Sequence, residues 1–280
     1  MNIEIAIKNA CQELKKANIR LPLLDSEILL SKVIKKDRKF ILLNLDSELN
    51  QNDQDYFKDL ILQRSKGKPL AYLIGIKSFW KYDFEVSDKV LIPRPETEII
   101  IEQVLKIYKN KNDLNFLEVG VGSGCIALSI LKEKKAFTAM GIDLSQDSIK
   151  ICTYNANKLG VSDRIRLLKS DVDNLIFGKY DLLISNPPYI KMLDLKKLDK
   201  DVINYEPKLA LDGGLDGLSV IKKIIKKSSN LLKTHGKLIL EIGYDQSEPV
   251  RKILNENNFF VNGTLKDLAK NDRCIISSKK

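Results

Sequence analysis

The chain has 280 residues, 44% of them hydrophobic and 30% charged, which is ordinary for a globular protein with one large domain, or one large and one small. No apolar run approaches the roughly 18 residues of a membrane span, and acids interrupt the apolar pattern of residues 1–16. We therefore expect no membrane association, no secretion signal and a cytoplasmic protein. Four cysteines without a CxxC pair and a single histidine, His235, argue against a disulfide framework and predict no metal site.

The formal net charge is +10, and the basic excess is spread along the chain. Such a charge could attract RNA, DNA or an acidic protein, or it could reflect a composition rich in lysine, isoleucine and asparagine. The sequence contains no dense basic cluster with interleaved aromatic residues. The second interpretation is therefore favoured, and we expect no stable nucleic-acid partner.

Residues 1–75 are predicted to form a small helical domain. Apolar side chains recur at three- and four-residue steps from Ile3 to Ala17, which is typical of an amphipathic helix. Asp25 is a candidate N-cap for a second helix that reaches Val33. Because this region shows no group of potentially catalytic side chains, we expect it to dock a partner.

The sequence changes character after this region. Residues 76–92 carry short, aromatic-rich runs that predict a β-hairpin linker. Apolar strands and helical segments, beginning with a helix over Glu96–Tyr108, then alternate, so residues 93–280 predict an α/β domain with a mainly parallel sheet and helices on both faces. The last two apolar segments, Phe259–Leu265 and Arg273–Ser277, are expected to pair as edge strands.

A glycine-rich turn lies in the sequence EVGVGSGCIAL, residues 118–128, between a short apolar strand and a helix. Gly120, Gly122 and Gly124 allow a sharp turn close to a ligand, and the start of the helix offers free N–H donors. The G-x-G-x-G spacing differs from the dinucleotide fingerprint G-x-G-x-x-G. Asp143 follows at the end of the next strand, where an acid can bind two ribose hydroxyls. The pattern predicts a nucleoside-binding loop, although Asp143 alone could also be a helix N-cap.

The segment DLLISNPPYI, residues 181–190, is an apolar strand that delivers Asn186, Pro187, Pro188 and Tyr189 to the carboxyl edge of the sheet. An amide or amino NH2 group is a poor nucleophile because its lone pair is delocalised. The Asn186 side-chain oxygen and the Pro187 carbonyl can each accept one of its N–H groups, which aims the lone pair and stabilises the charge that builds on nitrogen. Tyr189 offers a flat face to a flat substrate group. The alternative is an ordinary Asn-Pro-Pro turn.

The order of these motifs resembles that of amino-methyltransferases. Within that group, the chain resembles the PrmC/HemK family of release-factor glutamine methyltransferases over nearly all of its length. NPPY, residues 186–189, is shared with adenine methyltransferases, whereas its combination with PRPETE, residues 93–98, is more specific to this family. The segments that carry the resemblance are GIKSFWKYDFEV, Leu91–Glu98 with PRPETE, NPPY, Tyr205–Pro207 with Ala210–Leu211, Glu241–Gly243 with Gln246, and Asp272–Arg273.

The resemblance implies a Rossmann-like fold with a mainly parallel seven-stranded sheet, a helical N-terminal domain and a hairpin linker. It implies methyl transfer from S-adenosylmethionine to the glutamine side-chain nitrogen in the Gly-Gly-Gln motif of class I peptide chain release factors, and we expect a monomer. Asn186, Pro187, Pro188 and Tyr189 would bind the glutamine amide, and Asn186, Pro187 and Tyr189 would be catalytic. The implied cofactor contacts are Gly120, Val121, Gly122, Ser123, Gly124, Asp143, Asp171, Val172 and Asn186.

The chain departs from the family pattern at one of these contacts. Many relatives have Asp-Trp where this chain has Asp171-Val172. Val172 stands where that aromatic ring would flank the adenine, and Asp171 could still accept a hydrogen bond from the adenine amino group. Arg94 and Glu98, within PRPETE, either order a loop over the cofactor or form an interdomain salt bridge.

Three other functions remain open at this point. A nucleic-acid adenine N6-methyltransferase would use NPPY on a flipped base, but it would be expected to carry a target-recognition insert and a concentrated basic face. A glutamine methyltransferase of a ribosomal protein would share the chemistry, and PRPETE favours release factors over it. A non-enzymatic RNA-binding protein is disfavoured by the intact loop glycines, Asp143 and Asn186.

Overall fold

The computed structural model describes residues 1–176 and 178–280. The first part of the chain is helical, and strands and helices alternate after it. The α-helices of the described residues are α1 (Ile3–Lys16), α2 (Pro22–Ile34), α3 (Arg38–Leu43), α4 (Gln51–Ser65), α5 (Leu70–Ile74), α6 (Glu98–Ile107), α7 (Cys125–Glu133), α8 (Gln146–Lys158), α9 (Lys200–Tyr205), α10 (Ser219–Leu231) and α11 (Ser247–Glu256). The β-strands are β1 (Ile76–Phe79), β2 (Tyr82–Glu85), β3 (Leu114–Val119), β4 (Phe137–Asp143), β5 (Ile165–Lys169), β6 (Tyr180–Ser185), β7 (Leu232–Glu241), β8 (Phe259–Lys266) and β9 (Asp272–Lys279).

These elements form two compact units. The first comprises Met1–Ile76 and Asp199–Tyr205, and the second comprises Lys77–Leu198 and Glu206–Lys280. The helical unit is therefore built from two separate stretches of chain, of which the sequence pattern had indicated only one. Among the described residues, none of the helices combines the length and the apolar character needed to cross a bilayer.

The first unit packs its helices around one apolar cluster. Leu14 of α1, Leu29 and Leu30 of α2, and Phe57 of α4 are all buried in it. The amphipathic pattern predicted for the first helix is confirmed, because α1 begins at Ile3 and buries the apolar stripe.

Asp25 has a different role from the predicted one. It does not cap α2, because Pro22 occupies the start of that helix and Leu21 its N-cap position. Asp25 is instead buried, and its carboxylate accepts a hydrogen bond from Arg64 Nε of α4 at 2.7 Å. Arg64 also donates to the Lys68 carbonyl at 3.0 Å. This ion pair ties two helices together inside the unit.

The second unit is built on a seven-stranded sheet in the order β5-β4-β3-β6-β7-β9-β8. The five strands from β5 to β7 in this order are parallel, and β9 is antiparallel to both β7 and β8. The predicted mainly parallel, seven-stranded sheet is thus confirmed. The two last strands pair as predicted, but only β8 lies at the edge, since β9 inserts between β7 and β8.

Alternate residues of the strands enter two apolar clusters, one on each face of the sheet. In β6, Leu182 and Ile184 belong to the cluster that contains residues of α6, α7 and α8, whereas Leu183 belongs to the cluster that contains residues of α10 and α11. The hairpin of β1 and β2 forms a separate two-stranded sheet and contributes Phe79 and Phe84 to the first cluster. Both faces of the sheet are therefore covered, and its carboxyl edge is left for a ligand.

The strand order reverses beside β3. From β3 the chain proceeds outward to β4 and β5, and β6 then pairs with the other side of β3, with Val119 opposite Ser185. Parallel sheets form a ligand crevice at such a point. The glycine-rich turn after β3 and the NPPY segment after β6 are therefore neighbours.

The Asp25–Arg64 pair generates a prediction about stability. We expect Asp25→Ala to lower the free energy of unfolding by roughly 3 kcal/mol, because the Arg64 guanidinium would stay buried without its carboxylate. Asp59→Ala is the matched control, since the exposed Asp59 on the same α4 accepts only a surface hydrogen bond from Gln63 and should cost less than about 0.5 kcal/mol. Urea unfolding followed by circular dichroism measures both, and equal midpoints would contradict the assignment.

Candidate active site

A cavity of about 270 Å³ lies at the carboxyl edge of the parallel strands. Residues that end or follow β3, β4, β5 and β6 form its wall, together with residues of α10 and the segments 89–91 and 207–212. Most of the residues predicted from strand ends or from the family resemblance are therefore found at this cavity. The predicted site residues that line the cavity are Gly120, Gly122, Asp143, Asp171, Val172, Asn186, Pro187 and Pro188.

Four predicted site residues are not among those that line it. Val121 is buried in an apolar cluster, and Ser123 is buried with its carbonyl accepting a hydrogen bond from Asn155 at 2.8 Å. Gly124 is the N-cap residue of α7. Tyr189 is partly buried and directs its hydroxyl to a carboxylate of β7. The cavity is thus lined by Gly120 and Gly122 of the glycine loop and by the first three residues of NPPY, whereas the other predicted residues of the two motifs pack away from it.

The loop glycines divide into two roles. All three have left-handed backbone conformations, with φ of 76° at Gly120, 54° at Gly122 and 82° at Gly124. A Cβ atom on Gly120 or Gly122 would meet nothing within 4 Å, whereas one on Gly124 would lie 2.6 Å from Cys152 Sγ and 2.7 Å from Leu128 Cδ1. The first two glycines keep a cradle open, and the third permits close packing at the start of the helix.

Asp143 closes this cradle from the adjacent strand. Its Oδ2 accepts a hydrogen bond from Gly122 N at 2.9 Å, and its Oδ1 accepts one from Ser145 N at 2.8 Å. Ser145, not Asp143, caps α8 by accepting from Ser148 N. Burial raises the pKa of Asp143, and its backbone N–H donors act in the opposite direction. Because each carboxylate oxygen can accept further hydrogen bonds, the cradle with Asp143 fits a ribose that carries two hydroxyls.

Asp171 and Val172 form a different wall from the one implied by the resemblance. Asp171 accepts hydrogen bonds from Asp173 N at 2.9 Å and from Lys223 Nζ at 2.6 Å. Partial burial acts to raise the pKa of Asp171, but these two donors outweigh it and hold the pKa below its usual value. Val172 is buried and lines the cavity near Ile224 of α10. A flat base would therefore meet aliphatic side chains here, with Asp171 already engaged by a lysine.

Asn186 and Pro187 of the NPPY turn line the cavity, and each carries a carbonyl oxygen that can accept hydrogen bonds. Asn186 Nδ2 donates to Thr97 Oγ1 at 3.2 Å, so the nitrogen end of this amide is engaged. Within residues 1–176 and 178–280, no group donates a hydrogen bond to the Asn186 side-chain oxygen or to the Pro187 carbonyl oxygen. The turn is held from behind, because Gln246 Nε2 donates to the Tyr189 carbonyl at 3.0 Å. Two acceptors are thus available on a fixed support.

A buried carboxylate lies behind this turn. Glu241 ends β7 and is 1% exposed. Its Oε2 accepts a hydrogen bond from Thr97 Oγ1 at 2.6 Å, and its Oε1 accepts one from the Tyr189 hydroxyl at 3.2 Å. Burial raises the pKa of Glu241 to about 7, against the opposing effects of Thr97, Arg273 and Tyr189. The sequence analysis predicted no role for Thr97 or Glu241. An acid at the end of an apolar strand can nevertheless indicate a residue of a functional site.

Arg94 and Glu98 each have a partner within the second unit. Arg94 pairs with the buried carboxylate of Glu206, and Glu98 accepts a hydrogen bond from Trp80 N at 2.7 Å. All four residues belong to the second unit. Arg94 lies three residues after Leu91, and Glu206 directly precedes Pro207; Leu91 and Pro207 both line the cavity. The ion pair therefore helps to fix one wall of the site.

Comparison with known proteins identifies the family. A family model described as the PrmC N-terminal domain matches residues 6–75, and one described as the methyltransferase small domain matches residues 96–214. A release factor glutamine methyltransferase of Clostridium acetobutylicum is 38% identical over 280 residues, which cover 99% of this chain and 98% of that protein. The chain belongs to the release factor glutamine methyltransferase family. The family resemblance inferred from PRPETE and NPPY is thereby confirmed.

Other relatives and solved structures agree with this family. A bifunctional methyltransferase of Rickettsia conorii is 36% identical over 302 residues, which cover 99% of this chain and 58% of that protein, so the chain spans little more than half of that relative. A methyltransferase structure from Pyrococcus furiosus has a TM-score of 0.55 at 19% identity, covering 79% of this chain and 97% of the other. A ribosomal protein L11 methylase from Lactobacillus delbrueckii has a TM-score of 0.51 at 20% identity, covering 67% and 80%. At such identities the two structures support the Rossmann-like methyltransferase fold alone.

The raised pKa of Glu241 predicts how stability changes with pH. A glutamate has an ordinary pKa of 4.5, and burial raises that of Glu241 to about 7 in the folded protein. Between these values the folded state binds more protons than the unfolded state, so the free energy of unfolding falls as pH rises. The contribution of Glu241 is fully present below 4.5 and is lost as pH rises through about 7.

The Glu241→Gln variant isolates this contribution, because glutamine does not ionise. When the pH rises from about 5 to about 8, the parent should lose roughly 2–3 kcal/mol more of its unfolding free energy than the variant does. Urea titrations of both proteins at the two pH values measure the change. A difference between variant and parent that stays constant with pH would show that Glu241 titrates normally.

Proposed function

We propose that this chain transfers a methyl group from S-adenosylmethionine to the side-chain amide nitrogen of the glutamine in the Gly-Gly-Gln motif of class I release factors. The observation that carries the proposal is the pair of acceptor oxygens of Asn186 and Pro187 at the wall of a nucleoside-sized cavity. Relatives named release factor glutamine methyltransferases, 35–38% identical over nearly the whole chain, support the choice of substrate.

The residues at the cavity fit S-adenosylmethionine. The open cradle at Gly120 and Gly122 admits close approach of the backbone to a ligand. Asp143 offers acceptor oxygens for ribose hydroxyls, and Val172 with Ile224 offers an apolar wall for the base. When bound, this cofactor supplies a methyl group activated by a positively charged sulfur.

The substrate amide would be held by the Asn-Pro turn. The Asn186 side-chain oxygen and the Pro187 carbonyl each accept one N–H of the glutamine NH2, which directs the nitrogen lone pair out of the amide plane. With the methyl group supplied by the cofactor, the two oxygens would stabilise the positive charge that builds on the nitrogen as it is methylated. One N–H proton then leaves to water and the product is a secondary amide. No side chain has to act as a strong base.

The decisive test uses radiolabelled S-adenosylmethionine and three substrates in separate tubes: a class I release factor, the same factor with its Gly-Gly-Gln glutamine changed to asparagine, and duplex DNA. We expect label only on the unchanged factor, because an asparagine side chain is one methylene shorter than glutamine and its amide would not reach the Asn-Pro turn. Label on DNA alone would replace the proposal by adenine methylation. If neither the release factor nor the DNA is labelled, the proposed substrate is wrong.

The same assay tests the role of Asn186. Asn186→Ala removes one of the two acceptors and should reduce turnover by at least about 100-fold, comparable to the loss of one oxyanion donor. Calorimetric affinity for S-adenosylmethionine should remain, because Gly120, Gly122 and Asp143 are unchanged. A variant that methylates at the parent rate would exclude the gripping mechanism.

The glycine cradle generates a separate prediction about binding. Gly120→Ala places a methyl group in space that is open to the cavity, and we expect the affinity for S-adenosylmethionine to fall at least about 10-fold. Gly160→Ala is a matched control: its φ of 66° is equally left-handed and its Cβ also meets nothing within 4 Å, but it is not a cavity residue. Both variants should lose about 1–2 kcal/mol of stability from backbone strain. Equal affinities in calorimetry would contradict the placement of the cofactor.

A further inference from the structure

Three polar side chains from separate parts of the sequence meet behind the substrate turn. Asn186 follows β6, Thr97 lies in the short 3₁₀ turn before α6, and Glu241 ends β7. The Asn186 nitrogen is 3.2 Å from the Thr97 hydroxyl, which is 2.6 Å from Glu241 Oε2. Thr97 is 2% exposed and Glu241 is 1% exposed. Water therefore cannot replace either partner without a rearrangement of the turn.

The chemistry of these groups fixes the direction of both hydrogen bonds. The Thr97 hydroxyl donates its single hydrogen to Glu241 Oε2, which has only acceptor atoms when the carboxyl group is ionised. The Thr97 oxygen is then left as an acceptor toward Asn186, which must offer its NH2 group. The oxygen and nitrogen of a side-chain amide have nearly the same size, so packing alone would not choose between the two orientations. The acceptor oxygen of Thr97 therefore determines which end of the Asn186 amide faces it.

Resting on the proposed function, we propose that Thr97 and Glu241 are positioning residues that orient the Asn186 amide so that its oxygen faces the substrate nitrogen. In the opposite orientation, Asn186 would present an NH2 group to another NH2 group. The substrate would then lose one acceptor and meet a second donor. The PRPETE segment, which contains Thr97, thereby acts on the chemistry without touching substrate or cofactor.

The second oxygen of Glu241 extends the same control to Tyr189. The Tyr189 hydroxyl donates to Glu241 Oε1 at 3.2 Å and accepts a hydrogen bond from Arg273 Nη1 at 3.4 Å. Arg273 has only donors, and Asp267 holds it at 3.1 Å. The direction of the Tyr189 hydroxyl is thus set from both sides. One carboxylate supports the first and last residues of NPPY.

Two variants of Thr97 separate the hydroxyl from the shape of the side chain. Thr97→Val keeps the branched shape and removes the hydroxyl, and we expect kcat to fall at least about 10-fold. Thr97→Ser keeps the hydroxyl and loses a methyl group, and it should retain at least about a third of the parent kcat. Affinity for S-adenosylmethionine, measured by calorimetry, should stay within about two-fold of the parent in both. If Thr97→Val does not fold, Thr97→Ala carries the same comparison.

Two further variants complete the set. Glu241→Gln can donate to Thr97 and so allows both amide orientations; its kcat should fall, but less than that of Asn186→Ala. Ser228→Ala controls for loss of a buried hydroxyl elsewhere, since Ser228 donates to the Ile224 carbonyl within α10; its kcat should equal that of the parent. Parent-like kcat in Thr97→Val, or equal losses in Thr97→Val and Thr97→Ser, would overturn the proposal in favour of packing.

A readout without turnover tests the orientation directly. In protein labelled with 15N-asparagine, the side-chain NH2 signals of Asn186 are identified by their loss in Asn186→Ala. We expect slow hydrogen exchange of one NH2 proton in the parent and in Thr97→Ser, and fast exchange in Thr97→Val. Fast exchange in the parent would overturn the proposal. A parent that fails to methylate a Gly-Gly-Gln factor would instead remove the proposed function, and the exchange result would stand independently of it.

Discussion

The parallel pairing of β3 with β6 is the constraint on which the site depends. The two strands are far apart in sequence, yet their pairing places Val119 opposite Ser185. The glycine-rich turn and the Asn-Pro turn therefore leave the sheet side by side. A ligand that lies over the first turn must extend toward the second. The relative position of the two motifs is set by backbone hydrogen bonds and by the two apolar clusters that cover the sheet, not by the loops themselves.

Buried acids give the edge of the sheet its electrostatic character. Glu118 lies beneath the glycine loop, where it accepts a hydrogen bond from Ala127 N at 2.8 Å. Burial raises the pKa of Glu118, Asp143 and Glu241 alike, which means that their ionised forms are poorly solvated. A cationic ligand in the cavity would favour those ionised forms. Of these three acids, Asp143 lines the cavity.

Much of the fold and part of the site could be predicted from the sequence, because the signals are local. The spacing of Gly120 and Gly122, the position of Asp143 at the end of its strand, and that of Asn186 after a later apolar strand are all strand-end patterns. Thr97 and Glu241 could not be assigned roles in this way, because they are 144 residues apart in sequence and their meaning comes from one shared hydrogen bond. Likewise, only the strand order shows that β9 lies between β7 and β8. Only the hydrogen bond from Arg64 shows that Asp25 pairs with that residue and does not cap a helix.

The helical unit has a feature with consequences for biogenesis. Its last helix, α9, comes from residues 199–205, far downstream of the other five, and Tyr205 donates a hydrogen bond to the Lys66 carbonyl at 3.1 Å. A ribosome must therefore translate the strands from β3 through β6 before the N-terminal helices can gain their final member. Domains usually fold in the order of synthesis, but the first unit lacks its last helix until residue 205 has been translated, after β6 and before β7. Cutting the chain after residue 76 would therefore separate α9 from the other five helices of its unit.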